Sequence, residues 1–490
     1  MQTRTLTAFA ATALLSAGAI AAPPPVNTHP MLHQIAAAVK TSNLHATDKA
    51  LVGFGTRHSL STTTSDTRGI GAARRWVAAK FKHISEDCGG CLKIVKPAQS
   101  FTGPRMPEDG AEIMDIVAIQ RGTTDPDRVI VMTAHLDSRN ADVMDAVHDA
   151  PGANDDAAGV AALIETARVL SHYKFPATLV YSADSGEEQG LLGGRIIAQY
   201  AVDHGWNVEA NLNNDMVGNS HGGNGAYDPH TIRVFSEGTK TNETLEQAAY
   251  RRYHGGGVDS PSRNLARYMH TLAEQYLDNF HVRMIYRTDR WGRGGDQVAF
   301  LQQGFPAVRL SESNENYSHQ HQNVKVIDGV RHGDVISGVD FDYLTNVTRL
   351  DAITMASLAM APPPPTDLTV KGAVAYNTTL KWTPSPGAAS YNAWWRETTA
   401  PQWQHMQSAD NTHSVVLKNI ILDDYFFGVS AVSKDGWESP VEFPGFAGSF
   451  ERSPKLGPDG KPVDTRYPGM SSGHAVGPAS WRADTSQANQ

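Results

Sequence analysis

The chain has 490 residues, 40% of them hydrophobic, and a formal net charge of −9. This length and apolar content suffice for more than one packed core. Lys and Arg are scattered and outnumbered by acids, which excludes the electrostatic footprint of a nucleic-acid binder.

The first residues, MQTRTLTAFAATALLSAGAIAAPPP, combine Arg4, a short apolar core of small residues and Ala19-Ile20-Ala21 in the A-x-A cleavage arrangement. They predict a signal peptide over residues 1–21 and a mature chain that is secreted or periplasmic. The run breaks at Pro23–Pro25 and no second long apolar run follows, so no membrane association is expected after cleavage. The only cysteines, Cys88 and Cys91 in EDCGGC, are expected in an exported chain to close a small structural disulfide loop.

Residues 22–361 alternate apolar runs with helical patterns, as in RVIVMTAHLDS (Arg128–Ser138), ATLVYSADSGEE (Ala177–Glu188) and FPAVRLSES (Phe305–Ser313). Runs apolar on both faces belong to buried central strands covered by helices. After Asp156, the positions Val160, Leu163, Ile164, Ala167 and Leu170 keep one face of a helix. The fold class is α/β. APPPPTDLTV then marks a boundary, with four consecutive prolines as a stiff linker. Residues 362–447 change to short alternating strands such as LKW, YNAWWR and YFFGVSAV, the pattern of a small all-β sandwich. From residue 448 to 490, periodic apolar positions stop and a flexible tail is expected.

In doubly wound sheets ligands bind outside the carboxyl ends of the strands. There the sequence places His135 and Asp137 in AHLDS, Asp155 and Asp156 in PGANDDAAG, Glu187 and Glu188 in DSGEE, Asp215 in NNDMVG, and His319 and His321 in NENYSHQHQN. Mixed imidazole and carboxylate donors suit zinc. Two ions sharing one carboxylate need five protein positions, and five are present: His135 and Asp215 for one ion, Glu188 and His319 for the other, Asp155 between them. Asp137 is expected to orient His135, and Asp156 to cap the following helix or fix the turn.

These motifs, in this order, resemble the co-catalytic di-zinc aminopeptidases, the family of secreted bacterial leucyl and streptomycete aminopeptidases. The resemblance spans roughly Thr47 to Ala361 and includes FGTRHS and GRGGDQVAFLQQGFPAVRL. It implies a three-layer αβα domain with a mixed central sheet, metal-ligand roles for His135, Asp155, Glu188, Asp215 and His319, two zinc ions as cofactors, and Glu187 as catalytic base. The family often sets Tyr directly before its last ligand His and an Asp four residues after it. Here Ser318 follows Tyr317 and Asn323 lies four residues after His319, a spacing that favours His319 over His321. Many relatives carry Asp-His where this chain has Asp296-Gln297. The placement of Trp382, Tyr391, Tyr425 and DGWES similarly resembles a fibronectin type III domain, which would act as a spacer or bind a surface or polymer.

The expected activity is hydrolysis of N-terminal residues, large and apolar by family habit, from peptides or proteins by a monomer. A zinc pair would share and acidify the attacking water, Glu187 would take its proton, and Tyr317 would hydrogen-bond the oxyanion. The alternatives are a carboxypeptidase, with Arg290, Arg293 or Arg309 receiving the terminal carboxylate, a glutaminyl cyclase, or a non-catalytic exported binding protein. Retention of His135 weighs against the cyclase, and the full ligand set weighs against the binding protein.

Overall fold

The computed structural model describes residues 28–452, the side chains of Val330 and Arg331 excepted. The expected signal peptide and the tail from residue 453 onward lie outside the described residues. Helices α1 (Pro30–Ala38), α2 (Thr41–Val52) and α3 (Gly69–Asp87) come first, followed by β1 (Leu92–Val95), the hairpin β2 (Ala98–Phe101) and β3 (Ala111–Met114), then β4 (Ile116–Gln120) and β5 (Asp125–His135). There follow α4 (Ala158–Leu170), β6 (Ala177–Asp184), α5 (Leu192–Asp203), β7 (Asn207–Asn214), β8 (Thr231–Ser236), α6 (Leu245–His254), α7 (Pro261–Tyr276) and β9 (His281–Ile285). The body closes with α8 (Gln297–Gln302), β10 (Ala307–Glu312), the hairpin β11 (Lys325–Ile327) and β12 (Val330–His332), and α9 (Phe341–Met360).

Eight strands form one mixed sheet in the order β1-β4-β6-β5-β7-β10-β8-β9. Its centre, β6-β5-β7-β10, is parallel, and antiparallel pairing begins at β4 on one side and β8 on the other. Successive side chains of β5 serve opposite layers. Ile130, Met132 and Ala134 pack in the core under α1, α2, α3, α4, α7 and α9, while Val129 and Val131 pack in the core under α5 and α8. The result is the expected three-layer αβα domain. Its four central strands deliver their carboxyl ends to one rim, where His135 closes β5, Asp184 closes β6, Asn214 closes β7 and Glu312 closes β10. Cys88 and Cys91 at the end of α3 form the expected disulfide.

The chain leaves α9 at Met360 and enters β13 (Thr366–Lys371), β14 (Thr378–Thr383), β15 (Ala388–Glu397), β16 (His405–Ser408), β17 (Ser414–Leu417) and β18 (Tyr425–Ser433). These strands make two three-stranded antiparallel sheets, β13-β14-β17 and β16-β15-β18. Leu380, Trp382 and Leu417 of one sheet and Tyr391, Phe427 and Val429 of the other close a single apolar core between them.

This small unit is held by more than its linker. Pro362, Pro364 and Pro365 are buried, and Arg128 grips the junction through a 2.8 Å bond to the Ala361 carbonyl. Trp437 stacks on His29 at 3.7 Å and joins the main core. Across the contact, buried Asp259 takes Arg396 at 2.6 Å and Arg267 at 2.9 Å. Removing the shared partner of two buried guanidinium groups leaves both charges uncompensated, which costs about 3–5 kcal/mol. Asp259→Ala is therefore expected to destabilise the body and the β-sandwich together, as a single lowered denaturant midpoint. Two separate transitions, with the body's unchanged, would show that the sandwich hangs as an independent spacer.

Candidate metal centre

The donors converge where β5, β6, β7 and β10 end. On one side, His135, Asp155 and Asp215 bring one ligand atom each to within 4.8 Å of one another; on the other, Asp155, Glu188 and His321 do the same. Asp155 belongs to both groups and divides its carboxylate between them. Its Oδ1 lies 3.0 Å from His135 Nε2 and its Oδ2 lies 3.1 Å from His321 Nε2. Glu188 Oε1 lies 3.0 Å from the same His321 nitrogen, and Asp215 Oδ1 lies 3.9 Å from His135 Nε2.

Local structure aims each group. His135 turns Nδ1 toward the backbone carbonyl of Asp137, 3.0 Å away, which leaves Nε2 for the centre. The Asp137 carboxylate stands beside His135 as expected, its Oδ1 3.6 Å from the same Nδ1, and it also accepts from the N–H groups of Glu187 and Glu188, both at 3.2 Å, and so seats the loop after β6. Asp155 and Asp156 are joined by a cis peptide and diverge. Asp156 turns away from the centre to accept from His135 N–H, Gly159 N–H in the first turn of α4, and Met216 N–H, the structural role expected of it.

One expected ligand is displaced. His319 belongs to neither group, and its place is taken by His321. The chain makes a helical turn here, with His319 N–H and Gln320 N–H both bonded to the Asn316 carbonyl. Residues two apart on such a turn point to opposite sides. Gln320 reaches Asp155 Oδ2 at 3.3 Å, and His321, with φ of +54°, follows it inward. The His319 ring instead lies against Gly338, 3.0 Å from where a Cβ would stand. Burial, with His332 nearby, lowers its pKa. Tyr317, expected as an oxyanion donor, is 67% exposed and also stands outside both groups.

The electrostatics suit cations. Burial disfavours the charged form of His135, yet the carboxylates of Asp137, Asp155 and Asp215 outweigh it and raise the pKa well above the ordinary value. His321 behaves likewise: burial opposes, Glu188 and Asp155 prevail, and the pKa rises to about 9. Asp215 is brought down to about 2 against its burial, chiefly by Arg309, whose Nη2 lies 2.7 Å away. Glu187 goes the other way, raised well above the usual carboxylate range by burial, with Asp215 and Glu188 adding to the rise and His135 opposing it. Two imidazole nitrogens and three carboxylates, one of them facing two ways, form a donor set that fits zinc.

Several contributors were given no role by the motifs. Arg105 fixes the Glu188 carbonyl at 2.9 Å, Asp334 binds the loop that carries Asp155, and Arg57 was visible only as part of FGTRHS. Gln297 spans from Asp289 Oδ2 at 2.7 Å to Asn213 at 3.2 Å.

This sheet carries mixed nitrogen and oxygen donors at the carboxyl rim of its parallel strands, which defines a metal-binding α/β protein, and residues 115–330 match the profile of Peptidase family M28; the chain belongs to that family. A probable zinc metalloprotease of Pyrenophora tritici-repentis is 42% identical over 412 residues, covering 83% of this chain and 85% of the relative. One of Pyricularia oryzae is 40% identical over 83% of this chain and 82% of the relative. Among solved structures, the LapA aminopeptidase of Legionella pneumophila is similar with a TM-score of 0.48 and 18% identity, over 68% of this chain and 76% of that one. These sequence relatives are fungal, so the expected kinship with bacterial enzymes in particular is not upheld. The protein is a zinc metallopeptidase.

Proposed function

We propose that the enzyme is an aminopeptidase working with two zinc ions, one held by His135, Asp155 and Asp215 and the other by Asp155, Glu188 and His321. The observation that carries this reading is the divided carboxylate of Asp155, with one oxygen given to each group. Zinc bound there supplies Lewis acidity toward the scissile carbonyl and lowers the pKa of a water toward neutrality. Glu187, next to a ligand but in neither donor group, is the group free to take a proton from that water and hand it to the leaving amine. The surplus of carboxylates suits the substrate's free α-ammonium. The arginines that could receive a C-terminal carboxylate are engaged instead: Arg309 with Asp215 and Asp289, Arg290 with Asp289 and Glu315, and Arg293 with Glu315. That favours action at the amino end over the carboxyl end.

The same reading takes peptide N-termini, large and apolar in first preference, as substrate for an exported, monomeric enzyme. The sandwich of residues 362–447 is read as fibronectin type III-like. The Cys88–Cys91 disulfide supports an oxidising compartment. The test is hydrolysis of a panel of aminoacyl-p-nitroanilides and their N-acetylated counterparts by mature protein, before and after chelation and zinc readdition. Cleavage that needs both the free amine and the metal is expected. Cleavage of acetylated or C-terminally probed peptides alone would assign carboxypeptidase or endopeptidase action instead.

A further inference from the structure

Two buried residues outside the donor set hold the backbone that carries it. Arg57 is 0% exposed, and its guanidinium is spent on carbonyls: Nε donates to Leu136 O at 2.7 Å, Nη1 to Pro151 O at 2.5 Å and Nη2 to Gly152 O at 2.9 Å. It thus clips the segment just after His135 to the segment just before Asp155. Ser138 reinforces the clip, its hydroxyl accepting from Arg57 N–H at 3.0 Å and donating to Ala150 O at 2.6 Å. The approach is too close for a side chain at position 152. Gly152 has φ of +54°, and a Cβ there would stand 2.5 Å from Ser138 and 3.0 Å from Arg57.

Asp334 does the corresponding work from the other side. It is 6% exposed, and its carboxylate accepts from Asn154 N–H at 2.8 Å and Asp155 N–H at 2.7 Å, while its carbonyl accepts from Ala153 N–H at 3.3 Å. Residue 334 follows the β11–β12 hairpin, on the stretch of chain that begins with His321. The loop of Asp155 is therefore tied to the backbone just after His135 through Arg57 and to the chain just after the β11–β12 hairpin through Asp334.

We propose that Arg57 and Asp334 are positioning residues that together set the Asp155 carboxylate between the two donor groups. The inference rests on the two-zinc reading above. A bridging ligand must satisfy two centres at once, so its backbone tolerates less freedom than that of a terminal ligand. Outer contacts that orient metal ligands are worth about 10–100-fold in metal affinity.

The test is competition for zinc against a chromophoric chelator, with full-length wild type, Asp334→Asn and Arg57→Lys, alongside thermal unfolding of each metal-free protein and the visible spectrum of each cobalt-loaded one. Both folded variants are expected to lose about 10–100-fold in zinc affinity and to show an altered cobalt spectrum at temperatures well below unfolding. A purely structural role would lower the unfolding temperature and leave the affinity and spectrum of the folded protein unchanged, and that result would overturn the inference. Arg57→Lys keeps the charge and carries the test if Asp334→Asn does not fold; if neither folds, Ser138→Ala, which removes one hydroxyl from the clip, is read in the same way. Fewer than two zinc ions on the unaltered enzyme would overturn the two-ion reading itself, a failure visible without any variant.

Discussion

Glu187→Gln is expected to lower kcat by about 10²–10⁴-fold, the usual contribution of a positioned general base, and to leave zinc affinity and unfolding temperature near those of the unaltered enzyme. Glu187 is in neither donor group, and its neighbour Glu188 is in one. The loop that carries both is fixed through their backbone N–H groups on Asp137. An amide at position 187 keeps the shape and those backbone bonds but cannot accept a proton and pass it on. The decisive comparison is steady-state kinetics beside zinc stoichiometry. Turnover retained in a zinc-loaded variant would remove Glu187 from the proton transfer. Zinc lost together with turnover would make it a ligand instead.

His135 and Glu188 could be picked out in the sequence because they close or follow the long apolar strands β5 and β6, whereas Asp155 and Asp215 stood out only through the motifs PGANDDAAG and NNDMVG. A parallel central strand buried on both faces is a continuous apolar run, and the polar residue that ends it is the one facing the rim. The αβα layering was legible for the same reason. What could not be read was the geometry of segments with no periodicity. Tyr317 to Asn323 lies between β10 and the β11–β12 hairpin, and nothing in its composition says that the chain makes a helical turn ending in a left-handed residue. The spacing from Tyr317 then favoured His319 of the two histidines at i and i+2, although the side of the turn that faces the centre carries His321. Arg57 and Asp334 escaped for a different reason: they act through backbone carbonyls and N–H groups, whose positions no side-chain pattern reports. The packing of the β-sandwich on the body was hidden likewise. Its contacts are single long-range pairs such as Arg396–Asp259 and Trp437–His29, and four prolines suggested separation.

The exchange of His319 for His321 gives the sharpest contrast available in this protein. His321→Ala removes a nitrogen that lies 3.0 Å from Glu188 and 3.1 Å from Asp155, leaving the second group with carboxylates alone. Zinc affinity at that site is expected to fall by more than the 10–100-fold typical of outer-shell replacements, and turnover to fall with it. The first group keeps His135, so one zinc ion is expected to remain bound. His319→Ala removes a ring packed against Gly338 that belongs to neither donor group among the described residues, and two bound ions and full turnover are expected. The measurement is metal content after dialysis against weakly chelating buffer, beside kcat/KM, for the two variants in parallel. If His319→Ala lost the ion and His321→Ala kept it, the turn from Asn316 to His321 would have to be wound the other way when metal is bound, and Glu188 would have a different partner. If His321→Ala lost both ions together, the groups would be coupled through Asp155 more tightly than its two separate oxygens suggest, because a bridging carboxylate released at one end would then no longer hold at the other.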